Sequence, residues 1–166
     1  MPAKKVLRSF KPVVDGRSRV LVLGSMPGPT ALKKQEYYGF SGNHFWRVMQ
    51  RYFDVRGEPD YQGKIGLLLD HGIALWDVCA TCLRQGAGDQ AIEKPTFNPV
   101  PELLEEYPGI CAVFLNGRTA EKIFRERFKN ITLPAFYLPS TSPAHAGLSF
   151  EKKYRRWAAR LSKVLS

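Results

Sequence analysis

The chain has 166 residues, 44% of them hydrophobic, with 25 Lys and Arg against 15 Asp and Glu and a formal net charge of +10. That length suits one domain with its own core, spanning residues 1–166, and the cation excess fits a polyanionic partner or simply a solvated basic surface. No apolar run approaches the roughly 20 residues of a membrane span, and residues 1–12 are basic without a signal-peptide apolar block, so a soluble, intracellular protein is expected.

The first apolar run, residues 19–23, reads as a buried strand. It leads into Gly24-Ser25-Met26-Pro27-Gly28, a turn in which two glycines and a proline let backbone approach a ligand closely. The turn lacks the Gly-Lys-Ser/Thr ending of a P-loop, and Leu23 stands where a nucleophile elbow needs glycine. Tyr37-Tyr38 and Asn43-His44-Phe45-Trp46 follow. Phe45, Val48, Met49 and Tyr52 share one helical face, and Asn43 stands where a helix N-cap would.

A second strand, residues 73–76, ends in Leu75-Trp76-Asp77-Val78. Asp77 reads either as a ligand-facing acid or as a cap on the next turn. Cys79 and Cys82 have CxxC spacing, but the chain holds only three cysteines, and no second pair or matching histidines complete a metal site. Reduced thiols, with Cys111 inside a strand, and no metal or cofactor are expected. Residues 85–101 are rich in Gly, Pro and polar side chains and read as a surface loop, with Asp89 as its notable acid.

A third strand, residues 110–115, precedes Asn116-Gly117-Arg118, a helix start with an arginine that suits a phosphate. Ala120, Ile123, Phe124 and Phe128 then share a helical face. A fourth strand, residues 135–138, leads into Pro139-Ser140-Thr141-Ser142-Pro143-Ala144-His145. The last helix, N-capped by Ser149, carries Phe150, Tyr154, Trp157 and Leu161 on one face and Lys152, Lys153, Arg155, Arg156 and Arg160 on the other. Strands alternating with helices predict a three-layer α/β/α sandwich around a four-stranded parallel sheet. Every singled-out turn falls beyond a strand's carboxyl end, where such sheets bind ligands.

Gly-Ser-Met-Pro-Gly, Tyr-Tyr, Asn-x-Phe-Trp, Ala-Leu-Trp-Asp-Val, Leu-Asn-Gly and Pro-Ser-Thr-Ser-Pro-Ala, in that order, resemble the hypoxanthine-DNA glycosylase branch of the uracil-DNA glycosylase superfamily. The resemblance runs from about Val20 to Trp157. It implies the fold just described and hydrolysis of the bond between a deaminated base and its sugar in double- or single-stranded DNA. It also implies a monomer without cofactor or membrane attachment, acting in the cytoplasm, nucleoid-associated in a prokaryote.

By the same resemblance, Asn43 positions the attacking water, since Met26 stands where many relatives have an Asp or Asn. Tyr38 stacks on the flipped base, with Asp77, Phe45 and the turn Gly24, Ser25, Met26, Pro27 and Gly28 completing its pocket. Asn116, Gly117, Arg118, Ser140, Thr141, Ser142, Pro143, Ala144 and His145 handle DNA. Ser140 replaces a His or Asn that some relatives use to polarise the base, and His145 replaces an Asn. No lysine falls within these motifs, so strand cleavage through a Schiff base is not expected. The rival readings are uracil as the main substrate, a DNA-binding module without turnover, and hydrolysis of free nucleosides.

Overall fold

The structure is a computed structural model that describes residues 4–145 and 147–166. Residues 1–3 and 146 of the expected 1–166 domain lie outside it. In chain order the elements are β1 (Val6–Arg8), β2 (Val20–Gly24), α1 (Pro29–Lys34), α2 (Phe45–Tyr52), α3 (Tyr61–Asp70), β3 (Ile73–Asp77), β4 (Cys79–Leu83), a short 3₁₀ turn (Asp89–Ala91), β5 (Glu93–Phe97), α4 (Val100–Glu106), β6 (Ala112–Asn116), α5 (Arg118–Arg127), β7 (Ala135–Leu138) and α6 (Phe150–Leu165).

The four expected strands form one parallel sheet in the order β3-β2-β6-β7. Side chains alternate across it. Val20, Val22, Ile73, Leu75, Phe114 and Leu138 pack on one face against Phe45, Met49, Leu68, Trp157 and Leu161 of α2, α3 and α6. Leu21, Leu23, Ala74, Trp76, Val113 and Leu115 pack on the other against Val100, Leu103 and Phe124 of α4 and α5. Burial on both faces is why these strands are continuously apolar rather than alternating.

The β3 edge of the sheet does not lie bare. Val13 bridges to Leu75 outside β3. Beside β7, the Arg118 guanidinium lies 3.6 Å from the centroid of the Tyr137 ring and that of Arg160 lies 3.9 Å from that of Phe136.

A second sheet was not anticipated. β4 pairs antiparallel with β1 and β5 in the order β1-β4-β5. The CxxC segment is β4 itself; Cys79 and Cys82 are both buried. Residues 85–101 are therefore not a plain loop: they hold the 3₁₀ turn, β5 and the first residues of α4. Cys111 is exposed and precedes β6 rather than lying within it.

Helix ends follow their capping chemistry. Asp60 accepts a hydrogen bond from Gly63 N–H at 2.8 Å, and Ser149 Oγ accepts one from Lys152 N–H at 3.3 Å. One residue of α6 departs from expectation. Lys153 is not on the solvated face: it is 1% exposed, because position 153 shares the inner face with Phe150 and Trp157. Among the described residues, no helix is long and apolar enough to cross a membrane.

Candidate functional site

Sheet order reverses between β2 and β6: the chain leaves β2 for β3 on one side, then returns across β2 to β6 on the other. The crevice beyond the carboxyl ends of such strands is where open α/β sheets bind ligands. Gly24, Asp77 and Asn116 are the last residues of β2, β3 and β6, and all three face that crevice's loops.

Asn116 is 8% exposed, and both ends of its amide are in use. Its Nδ2 donates to the Tyr38 hydroxyl at 3.2 Å and to Thr141 Oγ1 at 3.1 Å, while its Oδ1 accepts from Thr141 N–H at 3.0 Å. Thr141 is fully buried, and its carbonyl accepts from His44 N–H at 2.9 Å. One side chain at the end of β6 thus gathers the Tyr37-Tyr38 turn, the Asn43-His44 turn and the loop after β7. Asn116 and Thr141 order these loops from within rather than presenting surface to a phosphate.

Tyr37 and Tyr38 differ in burial. Tyr37 is 3% exposed, donating its hydroxyl to Lys11 C=O at 2.8 Å. Tyr38 is half-buried, held at φ +54°, in the left-handed region that a tyrosine rarely occupies. Its ring stacks on Phe45 with centroids 4.3 Å apart. Burial, and then Asp77, raise the Tyr38 hydroxyl well above the ordinary tyrosine range. Phe45 itself is wholly buried beneath it, edge-on to Trp46 and Trp157.

Asn43 is half-buried at the start of α2. Its Oδ1 accepts from Phe45 N–H at 2.9 Å. The bond closes an Asx turn just ahead of the helix, whose N-cap position is His44 rather than Asn43, and the remaining lone pair and amide hydrogens of Asn43 stay available for a water. His44 packs edge-on to Phe150, and its Nδ1 is buried without a partner among the described residues. Burial first, then Lys153 and Arg47, lower its pKa.

Asp77 is 4% exposed, and its Oδ2 has no hydrogen-bond partner among the described residues. Burial, with a smaller contribution from Asp89, pushes its carboxyl up to about 7. Its backbone is tightly held. Asn98 Nδ2 donates to Asp77 C=O at 2.7 Å, Val78 N–H to Gly24 C=O at 2.9 Å and Cys79 N–H to Ser25 C=O at 3.1 Å. Asp77 thus ends one sheet a single residue before the other begins.

In the turn after β2, a Cβ on Gly24 would stand 2.5 Å from Asp77 Oδ1 and 3.2 Å from the Tyr38 hydroxyl. Gly28 has open space around it, so only the first glycine serves close approach. Ser25 Oγ donates to Asp89 Oδ1 at 2.8 Å, which brings the acid of the 3₁₀ turn to the site. Met26 is buried in the core cluster beneath, and Pro27 C=O accepts from Arg84 Nη2 at 2.6 Å.

The loop after β7 is braced from below. Lys153 Nζ donates to Ser142 C=O at 3.2 Å, and Trp157 Nε1 to Pro139 C=O at 2.9 Å. Burial lowers the Lys153 pKa. Ser140 Oγ accepts from Ser142 N–H and Ser142 Oγ from Ala144 N–H, at 3.1 and 3.2 Å, leaving both hydroxyl hydrogens to donate outward. Pro143 and Ala144 are exposed at the tip, and His145 is half-buried beside them. Gly117 is buried at φ +96°, with a Cβ there only 3.0 Å from that of Ser140. Arg118 is exposed, turned toward Glu121 at 2.8 Å and over Tyr137.

Three participants went unseen in the sequence. Lys153 had a legible signal, its i+3 spacing from Phe150. Arg84 and Asn98, both buried, had none, since each is defined by the antiparallel sheet. Among the described residues no cluster of His, Cys, Asp or Glu could hold a metal ion. Two surface depressions, of about 370 and 410 Å³, lie elsewhere, beside Phe53 and His71 and beside Phe97 and Phe128.

Comparison with known proteins matches residues 11–164 to the family model for the uracil DNA glycosylase superfamily. Two curated relatives are each named hypoxanthine DNA glycosylase. The Methanosarcina acetivorans protein is 30% identical over 155 residues, covering 93% of this chain and 97% of its own. The Methanosarcina barkeri protein is 34% identical over 115 residues, covering 67% and 71%. The solution NMR structure of a candidate uracil DNA glycosylase from Methanosarcina acetivorans superposes with a TM-score of 0.84. It shows 29% identity and covers 96% of this chain and 99% of that one.

Proposed function

The chain belongs to the uracil DNA glycosylase superfamily and is a DNA glycosylase; we propose that its principal substrate is hypoxanthine in DNA, excised by a monofunctional, cofactor-free monomer acting in the cytoplasm. The observation that carries this reading is the Asn116 hub, which draws the stacking tyrosine, the Asn43 turn and the loop after β7 into one crevice beside Asp77. The excess of cations supports a DNA partner, duplex or single-stranded.

The base leaves the stack and enters beside Tyr38, whose half-buried ring offers a stacking face; such stacking is worth about 1–3 kcal/mol. Asp77 accepts from the ring N–H of the base. Asn43 orients a water toward the sugar carbon. An amide cannot take up the water's proton, so bond cleavage precedes attack: the base departs with the electron pair, an oxocarbenium-like sugar forms, and water captures it. Acceleration then comes from positioning and electrostatics. Ser140, Ser142 and the exposed tip at Pro143 and Ala144 meet the DNA backbone, contacts that position without reading sequence.

Incubating enzyme excess with duplex DNA containing one deoxyinosine tests the reading. Abasic product is expected; none after long incubation would falsify it. Uracil presents a similar N–H and carbonyl edge, and a panel of lesion-bearing duplexes ranks the substrates.

A further inference from the structure

Asp77 is a carboxyl with nothing to neutralise it. The titratable groups facing it are Tyr37 and Tyr38 from the turn after α1, Cys79 on β4 and Asp89 in the 3₁₀ turn. None is a cation, and Asp77 forms no ion pair among the described residues. It is 4% exposed with Oδ2 unpartnered. A lone carboxylate in such a place is far more costly than the neutral acid.

We propose that Asp77 works as a neutral carboxylic acid, donating its O–H to the carbonyl oxygen of the extruded base while its own C=O accepts from the adjacent ring N–H. This deepens the excision reading above and rests on it. An ionised Asp77 could accept from the N–H but would repel the carbonyl beside it. The protonated acid satisfies both. The substrate class is thereby any base with a carbonyl next to a ring N–H, which includes hypoxanthine, xanthine and uracil. Guanine and thymine carry the same edge, and adenine pairs with such an acid with its roles exchanged, so exclusion of the normal bases falls to the extrusion step, which is easier for a mispaired base.

The same hydrogen bond serves catalysis. As the bond from sugar to base breaks, the electron pair stays with the base and spreads onto its carbonyl oxygen. A hydrogen bond from O–H to a developing anion is stronger than one to a neutral carbonyl, so it favours the transition state over the bound substrate. The proton remains on Asp77; water adds to the sugar carbon and surrenders its proton to solvent. Burial and Asp89 together hold the acid's pKa up to about 7, so the protonated form persists toward neutral pH.

Single-turnover release of hypoxanthine, measured from about pH 5 to about pH 9, reads this directly. The rate should fall by about tenfold per pH unit above a limb near neutrality. Asp77→Asn carries a donor and an acceptor at every pH and should lose the limb. Asp89→Asn removes the neighbouring like charge and should move it to lower pH. A wild-type rate that is flat or rises across this range, or a limb that survives in Asp77→Asn, overturns the proposal. The infrared difference spectrum of wild type minus Asp77→Asn provides a readout independent of turnover. A protonated carboxyl band present at low pH and lost at high pH supports the neutral acid, and its absence at about pH 5 overturns it. That band seen together with no base release at any pH overturns the excision reading instead.

Discussion

A Cβ on Gly24 would lie 2.5 Å from Oδ1 of Asp77, well inside contact distance. The end of β2 is therefore moulded to the acid at the end of β3, and the two strands are in register there, Gly24 opposite Asp77. Gly24→Ala forces the carboxyl aside. Base release should fall by at least about a hundredfold, with a stability loss of about 1–3 kcal/mol from overpacking. Gly28→Ala, with open space around it, should change neither. Single-turnover assays and urea melts on the pair check this.

Asn43 accepts from Phe45 N–H at the start of α2 and, in the proposed reaction, holds the water. Asn43→Ala should lower base release by about 10²–10³-fold and stability by about 1 kcal/mol through the lost hydrogen bond to Phe45 N–H. Asn43→Ser keeps an accepting oxygen, so it should restore the melting temperature without restoring activity. DNA binding should survive in both, which a fluorescence anisotropy titration measures.

Asn116→Ala unties Tyr38 from Thr141 and leaves Thr141 N–H, buried, without its acceptor. A loss of about 1–3 kcal/mol is expected. Tyr38→Phe removes only one of those bonds and should cost less than half as much. A double-mutant cycle read by denaturant melts should show that the two effects are not additive.

Asp77 also sets a pH dependence of stability. Its folded pKa, about 7, lies above the unfolded value. The stabilisation of the protonated acid is thus fully present below about pH 4 and is lost as pH rises through about 7. Asp77→Asn should match wild type in stability at about pH 4 and exceed it at pH 8 by up to about 4 kcal/mol. Melts at the two pH values decide it.

Lys153 braces Ser142 C=O from inside the fold. Lys153→Met keeps the packed stem and removes a buried charge, so the protein should melt no lower than wild type. With Ser142 no longer held, duplex affinity should fall by about threefold to tenfold at fixed salt, as anisotropy measures.

How far the sequence was legible depends on what each segment packs against. The parallel strands announced themselves because β2, β3 and β6 are buried on both faces and apolar up to their last residue, while β7, only half-buried, is still apolar throughout. The antiparallel sheet was hidden for the opposite reason. β1 and β5 are short and largely exposed, and β5 reads Glu93-Lys94-Pro95-Thr96-Phe97, a string with neither strand alternation nor apolar run. Lys153 reads as a solvated cation by its charge, whereas its i+3 spacing from Phe150 sets it on the inner face. Asp77 and Asn43 were legible as candidates, yet their states were not. Whether a carboxyl has a partner, or an amide closes a turn, depends on loops that meet only in the fold.

Asp77 sits at the seam between the two sheets, its C=O held by Asn98 Nδ2 and the next two residues tied to the end of β2, Val78 N–H to Gly24 C=O and Cys79 N–H to Ser25 C=O. The loops bearing Tyr38 and Ser140 instead hang together through one amide, that of Asn116, with Lys153 and Trp157 steadying the second of them from beneath. One jaw of the site is thus built into the frame and the other is suspended from it. In the proposed reaction, discrimination would work like a gauge block: a nucleotide is offered to an acid whose backbone is held by the frame, and the opposing jaw adjusts to its size. Substitutions in the suspended jaw should broaden or narrow what enters, whereas those in the fixed jaw should change which hydrogen-bonding edge is accepted.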